Sequence, residues 1–260
     1  MSSFDLMKKM RGLAAVLTIA APLAFSQQAQ AVPVGLELSL LIDVSGSVDA
    51  GEFNLQKQGY VQAFQSAAVQ SAILASVGGG IAVNFIQWSG AGQVTQSLGF
   101  TLINSVASSN AFAAAINGVA RAFAGSTAPG GAINFAAPLF NNNGYESPRQ
   151  VIDVSGDGAA NDGPNTLAAR NAALAGGVDT INGLVILGEA GVQAFYQNNI
   201  VGGTNAFLAV ANDFGDFAAA IQDKLVREIR VPEPASLALF GFGIAALGFA
   251  RRRRSTTASA

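Results

Sequence analysis

The chain has 260 residues, half of them hydrophobic, and contains neither cysteine nor histidine. That excludes disulfides, thiolate zinc sites, cysteine nucleophiles and any Ser-His-Asp or Cys-His machinery. Residues 32–230 carry seven Lys and Arg against fourteen Asp and Glu, an acidic balance that argues against nucleic acid as a partner and favours cations.

The first 31 residues read as a secretory signal peptide. Lys8, Lys9 and Arg11 supply the charged start, Leu13 to Phe25 the apolar segment, and Ala29-Gln30-Ala31 a cleavage site. The mature body is expected to start at Val32 and to run to Arg230, long enough for one domain with a sizeable core.

Within that body, strand and helix patterns alternate. Leu38 to Ser47 reads LSLLIDVSGS; its apolar run is that of a strand buried on both faces. Asp49 and Glu52 have the spacing of a capping box, and open a helix over 50–67 with Phe53, Tyr60 and Phe64 on one face. Ile81 to Trp88 reads as a strand and Val94 to Leu102 as a weaker edge strand. Phe112, Ile116, Val119 and Phe123 step at helical spacing, predicting a helix over 110–123. The loop Ala124 to Gly131, AGSTAPGG, leads to a helix over 132–140. Arg149 to Ser155 is a strand that ends in Gly156-Asp157-Gly158. Asn165 or Thr166 starts a short helix to Ala175, and Thr180 to Leu187 is a strand. After an irregular piece around 192–198, a short strand spans 206–210. Asp213 then caps a last helix with Phe217, Ile221 and Leu225 inward, and Lys224, Arg227 and Arg230 complement its C-terminal dipole. Such alternation predicts an α/β domain: a Rossmann-like, doubly wound, mostly parallel sheet with helices on both faces.

The chemistry-bearing residues gather where such a sheet binds ligands, past the carboxyl ends of its strands. Asp43, Ser45 and Ser47 offer one carboxylate and two hydroxyls around a glycine. Hard oxygen donors of this kind suit Mg²⁺, Mn²⁺ or Ca²⁺. Asp43-x-Ser45-x-Ser47 after a buried strand resembles the first motif of a von Willebrand factor type A (VWA) domain, whose metal-ion-dependent adhesion site also takes a distant threonine and a distant aspartate. The resemblance assigns these to Thr127, in its glycine-rich loop, and to Asp157, in its Asp-Gly turn. It implies a divalent cation, magnesium first with manganese or calcium as alternatives, and one coordination position left for a carboxylate of an acidic protein or polysaccharide. Asp153, inside the strand before Asp157, is expected to be a structural acid with a partner of its own, because an isolated buried carboxylate is costly. By alternation Asp153, Ser155 and Asp157 would share a face. The wording DVSGSVDAGEF, INGLVIL and FAAAIQDKLVREI resembles an uncharacterised bacterial branch of the same superfamily, catalogued as a domain of unknown function.

The C-terminal end is a separate unit, 231–254, followed by a tail over 255–260. Pro232-Glu233-Pro234 opens it, an apolar run over 235–250 follows, and Arg251, Arg252, Arg253 and Arg254 close it. The run is shorter than the ~20 residues of an ordinary membrane span, and the arginines would hold its end in the cytoplasm. The three-part pattern resembles the PEP-CTERM sorting signal of Gram-negative, biofilm-forming bacteria. It implies transient anchoring in the inner membrane, an exosortase-type protease as partner, and delivery of the body to the cell envelope, surface or extracellular matrix. A non-enzymatic adhesion or interaction module is the expected function. The alternatives are a matrix protein with a purely structural ion and a metal-dependent hydrolase. No phosphate-binding Gly-x-x-x-x-Gly-Lys-[Ser/Thr] motif and no lysine near the site favour the last.

Overall fold

The computed structural model describes residues 30–230. The expected signal peptide, apolar segment and arginine cluster lie outside the described residues. Among the described residues no helix is long and apolar enough to cross a membrane.

In chain order the elements are β1 (Val32–Pro33), β2 (Leu36–Asp43), α1 (Ala50–Gln65), α2 (Ala67–Leu74), β3 (Ile81–Trp88), β4 (Val94–Ile103), α3 (Val106–Asn117) and α4 (Pro129–Ala136), the last extended by a 3₁₀ turn over Ala137–Phe140. Then come β5 (Tyr145–Glu146), β6 (Gln150–Gly156), α5 (Thr166–Ala175), β7 (Thr180–Ile186), α6 (Val192–Phe195) with a π-helical turn over Tyr196–Ile200, β8 (Gly202–Gly203), β9 (Leu208–Ala211) and α7 (Phe217–Arg230).

Seven strands form the main sheet in the order β4-β3-β2-β6-β7-β8, with β9 also on β7. The pairs β2–β3, β2–β6, β6–β7 and β7–β9 are parallel, while β4 and β8 run antiparallel to their neighbours. β1 and β5 make a separate two-stranded parallel pair. The parallel strands therefore wind outward from β2 to β3, return to β6 and continue to β7 and β9. The winding reverses between β2 and β6, and it is at such a reversal that a doubly wound sheet opens a ligand crevice.

Strand alternation divides the core in two. Leu36, Leu38, Leu40 and Ile42 of β2 point to one face, where α1, α3 and α7 bury Tyr60, Phe64, Phe112, Phe217, Ile221 and Leu225. Leu41, Ile152 and Val154 point to the other, under Ile133 and Ala136 of α4 and Ala169 and Ala173 of α5. α1 and α7 approach closely because Gly59 faces Phe217: a Cβ there would lie 2.7 Å from Phe217 Cδ1. The ring of Tyr60 meets Phe85 and Phe217 edge-on, each at 5.4 Å between centroids.

Several boundaries differ from the sequence expectation, each for a local reason. α1 ends at Gln65, and Ser66 caps a further helix that periodicity alone did not separate. The third helix starts earlier and ends at Asn117, because a Ser105–Ser108 capping box fixes its start and Gly118 ends it. Pro129 opens α4 three residues before the expected start. The edge strand expected to be weak is the longest in the sheet, ten residues. Asp213 does not cap the last helix, which starts at Phe217; its carboxylate accepts from Gly215 N and Asp216 N in the turn before it.

Candidate metal-binding site

The site is built at the reversal point. β2 carries Asp43 to its carboxyl end, fully buried. The five residues after it turn away from the sheet before the Asp49–Glu52 capping box starts α1. That turn is held by its backbone. Asp43 O accepts from Gln56 Nε2 at 3.2 Å, and Ser45 O from Arg121 Nη2 at 2.7 Å. The same Arg121 Nη2 also reaches Val44 O, and Gly46 N donates to Gly125 O at 2.7 Å. The loop that carries Ser45 and Ser47 is thus clamped to the segment leading to Thr127.

The expected donors meet as a chain of contacts. Ser45 N donates to Asp43 Oδ1 at 2.7 Å, and the hydroxyls of Ser45 and Ser47 lie 3.1 Å apart. Ser47 Oγ donates to Asp157 Oδ1 at 2.8 Å. Thr127 comes from the loop before α4 and is buried. Its N–H donates to Asn161 Oδ1 at 2.8 Å, its carbonyl accepts from Asn161 N and Asp162 N, and its side chain rests over Gly158, where a Cβ would lie 3.6 Å from Thr127 Oγ1. Asp43, Ser45, Ser47 and Asp157 are joined directly, and Thr127 reaches the Asp157-Gly158 turn.

Electrostatics sets this site apart from an ordinary polar loop. Burial pushes the Asp43 carboxyl up to about 7, against the hydrogen bonds from Ser45, with the nearby charge of Asp157 adding to the rise. Asp157 is also raised, first by burial and then by Glu52 and Glu189. Asp43 Oδ2 is buried without a hydrogen-bond partner, and so is the hydroxyl of Tyr196. Both crowd Gly156, where a Cβ would lie 2.6 Å from each oxygen. A fully buried carboxylate with an orphaned oxygen, linked to a half-buried second one, fits a divalent cation: the ion would supply the positive charge they lack. Among the described residues no group of three or more His, Cys, Asp or Glu is gathered to hold a metal; carboxylates assisted by hydroxyls are a donor set that suits hard cations.

Asp153 does not share this site. Alternation stops at the end of β6, so Asp157 turns into the loop while Asp153 and Ser155 face α1 and α7. Ser155 Oγ lies 3.3 Å from Tyr60 Oη. Asp153 Oδ1 pairs with Lys224 Nζ at 2.6 Å, and Lys224 also binds Glu228, all three fully buried. Asn182 Nδ2 donates to Glu228 Oε1 at 2.7 Å. Lys224 is therefore a core cation, and it is Arg227 and Arg230 that stand in the last turn of α7.

Sequence reasoning missed four residues around the site: Gln56, Arg121, Glu189 and Tyr196. Glu189, in the loop after β7, accepts from Ala159 N at 3.0 Å and braces the turn beside Thr127. Tyr196 opens the π-helical turn, a feature enriched at functional sites. None of the four carried a motif; each is found only through the sheet order.

A doubly wound sheet in this order, with an antiparallel edge strand and an Asp-x-Ser-x-Ser loop at its reversal, is the architecture of a VWA-like α/β domain. Residues 33–233 match the family described as a protein of unknown function (DUF1194), and the chain belongs to that family. Residues 230–254 match the PEP-CTERM protein-sorting motif. No curated protein matches the chain in sequence. Among solved structures, proximal thread matrix protein 1 from the mussel byssus superposes with a TM-score of 0.56 at 15% identity, over 76% of this chain and 49% of that one. A form of that protein is described as having a zinc-occupied MIDAS motif. The pilus adhesin SpaC from Lactobacillus rhamnosus GG gives 0.54 at 15% identity, over 77% of this chain and 31% of that one. A von Willebrand factor type A protein from Catenulispora acidiphila gives 0.54 at 13%, over 76% and 43%. This chain spans half or less of the length of each of these, and the likeness is one of fold.

Proposed function

We propose that the protein is an exported, non-enzymatic adhesion or interaction module that binds an acidic partner through a divalent cation. Asp43, Ser45, Ser47, Thr127 and Asp157 would hold the ion, magnesium in the first instance. The observation that carries this reading is the buried, raised and partly unpartnered carboxylate of Asp43, linked through Ser45 and Ser47 to a second raised carboxylate, Asp157. The ion supplies a positive centre for a carboxylate of an acidic protein or polysaccharide. The chain's own groups hold the loops in register and bring both aspartates to one point. The zinc-occupied MIDAS motif of the mussel protein supports the type of ion, and the pilus adhesin supports the type of role.

The domain boundaries follow the same reading: a signal peptide over 1–31, the VWA-like body over 32–230 and a sorting unit over 231–254. The sorting motif supports export and handling by an exosortase-type protease at Pro232-Glu233-Pro234. The apolar run and Arg251 to Arg254 would hold the chain in the inner membrane until that step. The body would then reach the envelope, the surface or the matrix.

A matrix protein whose ion only ties its loops together is the second reading, favoured by the Ser47–Asp157 bond, which closes the site without a partner. Thr127→Ala separates the two. Adhesion predicts that the variant melts like the wild type yet loses capture by an immobilised acidic polysaccharide, alginate, in saturating Mg²⁺. Equal capture by both proteins would leave only the structural role.

A further inference from the structure

The sheet has two unlike edges. One is made by β8 and β9, two and four residues long, and leads into a loop with Asp213 and Asp216. The other is β4, ten residues reading VTQSLGFTLI, paired on one side with β3 and with no other described strand. Short or charged edges resist pairing with another chain, whereas long, uncharged edges invite it. β4 has no charge and no proline, and Val94, Thr95, Phe100, Thr101 and Ile103 favour strand structure. Register shifts opposite Phe85 bend it at the middle, while Val94–Gln96 and Thr101–Ile103 keep regular pairing to β3.

The neutrality extends well past the strand. No Asp, Glu, Lys or Arg lies between Lys57 and Arg121, a stretch that contains the second half of α1 and all of α2, β3, β4 and α3. The acidic excess of the body is carried entirely by the rest of the molecule. Val106, 46% exposed, follows the end of β4.

We infer that the β4 edge is a self-association surface, on which a second copy of this chain adds its own β4 in antiparallel register. The charge distribution selects the occupant. In a twofold pair each surface meets itself, and like charges placed opposite each other across strands are destabilising. Elsewhere on the acidic body a copy would bring carboxylates against carboxylates. Along β4 itself there is none to repel, Asp162 reaching only Ala91 N in the turn before it, and the open N–H and C=O groups of one strand match those of the other. An ionic partner finds no counter-charge there.

The absence of cysteine makes this testable in the full chain, in membranes of an expressing host. Thr95→Cys, Ser97→Cys, Gly99→Cys and Thr101→Cys place single thiols along the strand, and Asn171→Cys, exposed on α5, serves as the control. Copper-phenanthroline oxidation is expected to give disulfide-linked dimers at the β4 position nearest the twofold axis, at least tenfold above the control. Adding Thr101→Lys to a cross-linking variant is expected to abolish the product while the circular-dichroism melt stays unchanged. No cross-link at any β4 position, or equal yield at Asn171, would overturn the proposal whatever the lysine variant does. So would persistence of the cross-link in a folded lysine variant. A chain that stays monomeric but binds the neutral polysaccharide dextran through β4 would assign the edge to a glycan and overturn it equally.

Discussion

Ser47 donates its hydroxyl proton to Asp157 at 2.8 Å, across 110 residues of sequence and between the loops that follow β2 and β6. This bond closes the crevice at the point where the winding of the sheet reverses. It also means that each of the two loops orders the other's donor.

Ser47→Ala removes that bond and one candidate ligand. Ser47 is exposed and Asp157 only half-buried, so the cost to stability should stay within about 1 kcal/mol. Loss of one hydroxyl donor should weaken divalent-ion binding by about tenfold, the equivalent of roughly 1.4 kcal/mol. A melt and a metal titration on the same sample check both. A variant that binds metal like the wild type would remove Ser47 from the ligand set.

Gly156→Ala tests the crowding at the end of β6. The added methyl would sit 2.6 Å from both Asp43 Oδ2 and Tyr196 Oη. Neither can retreat easily, since both residues are fully buried. Overpacking of this kind costs about 1–3 kcal/mol. The expected result is a lower melting temperature together with impaired metal binding. A variant that melts and binds normally would show that Asp43 has room to turn.

The Asp153–Lys224–Glu228 cluster predicts a pH dependence. Asp153 is raised, first by burial and then by the charge of Glu228, with Lys224 opposing. A carboxyl raised in the folded state binds more protons folded than unfolded between its two pKa values. Its contribution is complete below the ordinary aspartate value, ~3.9, and is lost as the pH rises through the folded value. The melting temperature should therefore fall from pH 5 towards pH 8, and Asp153→Asn should flatten that fall. Following the melt of both proteins across that range checks the sign; an unchanged slope in the variant would place the dependence elsewhere.

Lys224→Ala leaves two carboxylates buried without their cation. Breaking a buried ion pair by removing one partner costs about 3–5 kcal/mol. Denaturant unfolding at pH 7 should show a loss of that size, and a smaller one at pH 5, where a carboxyl can take up a proton. A loss below about 1 kcal/mol at pH 7 would mean that the cluster is held by something other than Lys224.

The fold was legible because its signals are local and redundant. A buried parallel strand reads as an apolar run, as in Leu36–Asp43, and the Asp49–Glu52 box marks a helix start within four residues. Asp43, Ser45 and Ser47 stood out as candidates for the same reason, since one loop carries all three. Thr127 and Asp157 became findable only through a family pattern, because nothing local distinguishes a ligand threonine from a capping one. What stayed hidden depends on strand order. Asp153 and Lys224 are far apart in the chain and meet only because α7 packs across β6. β4 was legible to within one residue, Val94 to Leu102 against Val94–Ile103, although its signal is weak: an edge strand is solvated on one side, so it lacks the apolar run that marks β2.

Calorimetric titration of the purified chain with Mg²⁺, Mn²⁺ and Ca²⁺, beside Asp43→Ala, addresses the metal site directly. One saturable event with at least one of the three ions, absent in Asp43→Ala, is the expected result. An absence of binding in the wild type, or equal binding by Asp43→Ala, would contradict a divalent-ion site at the end of β2.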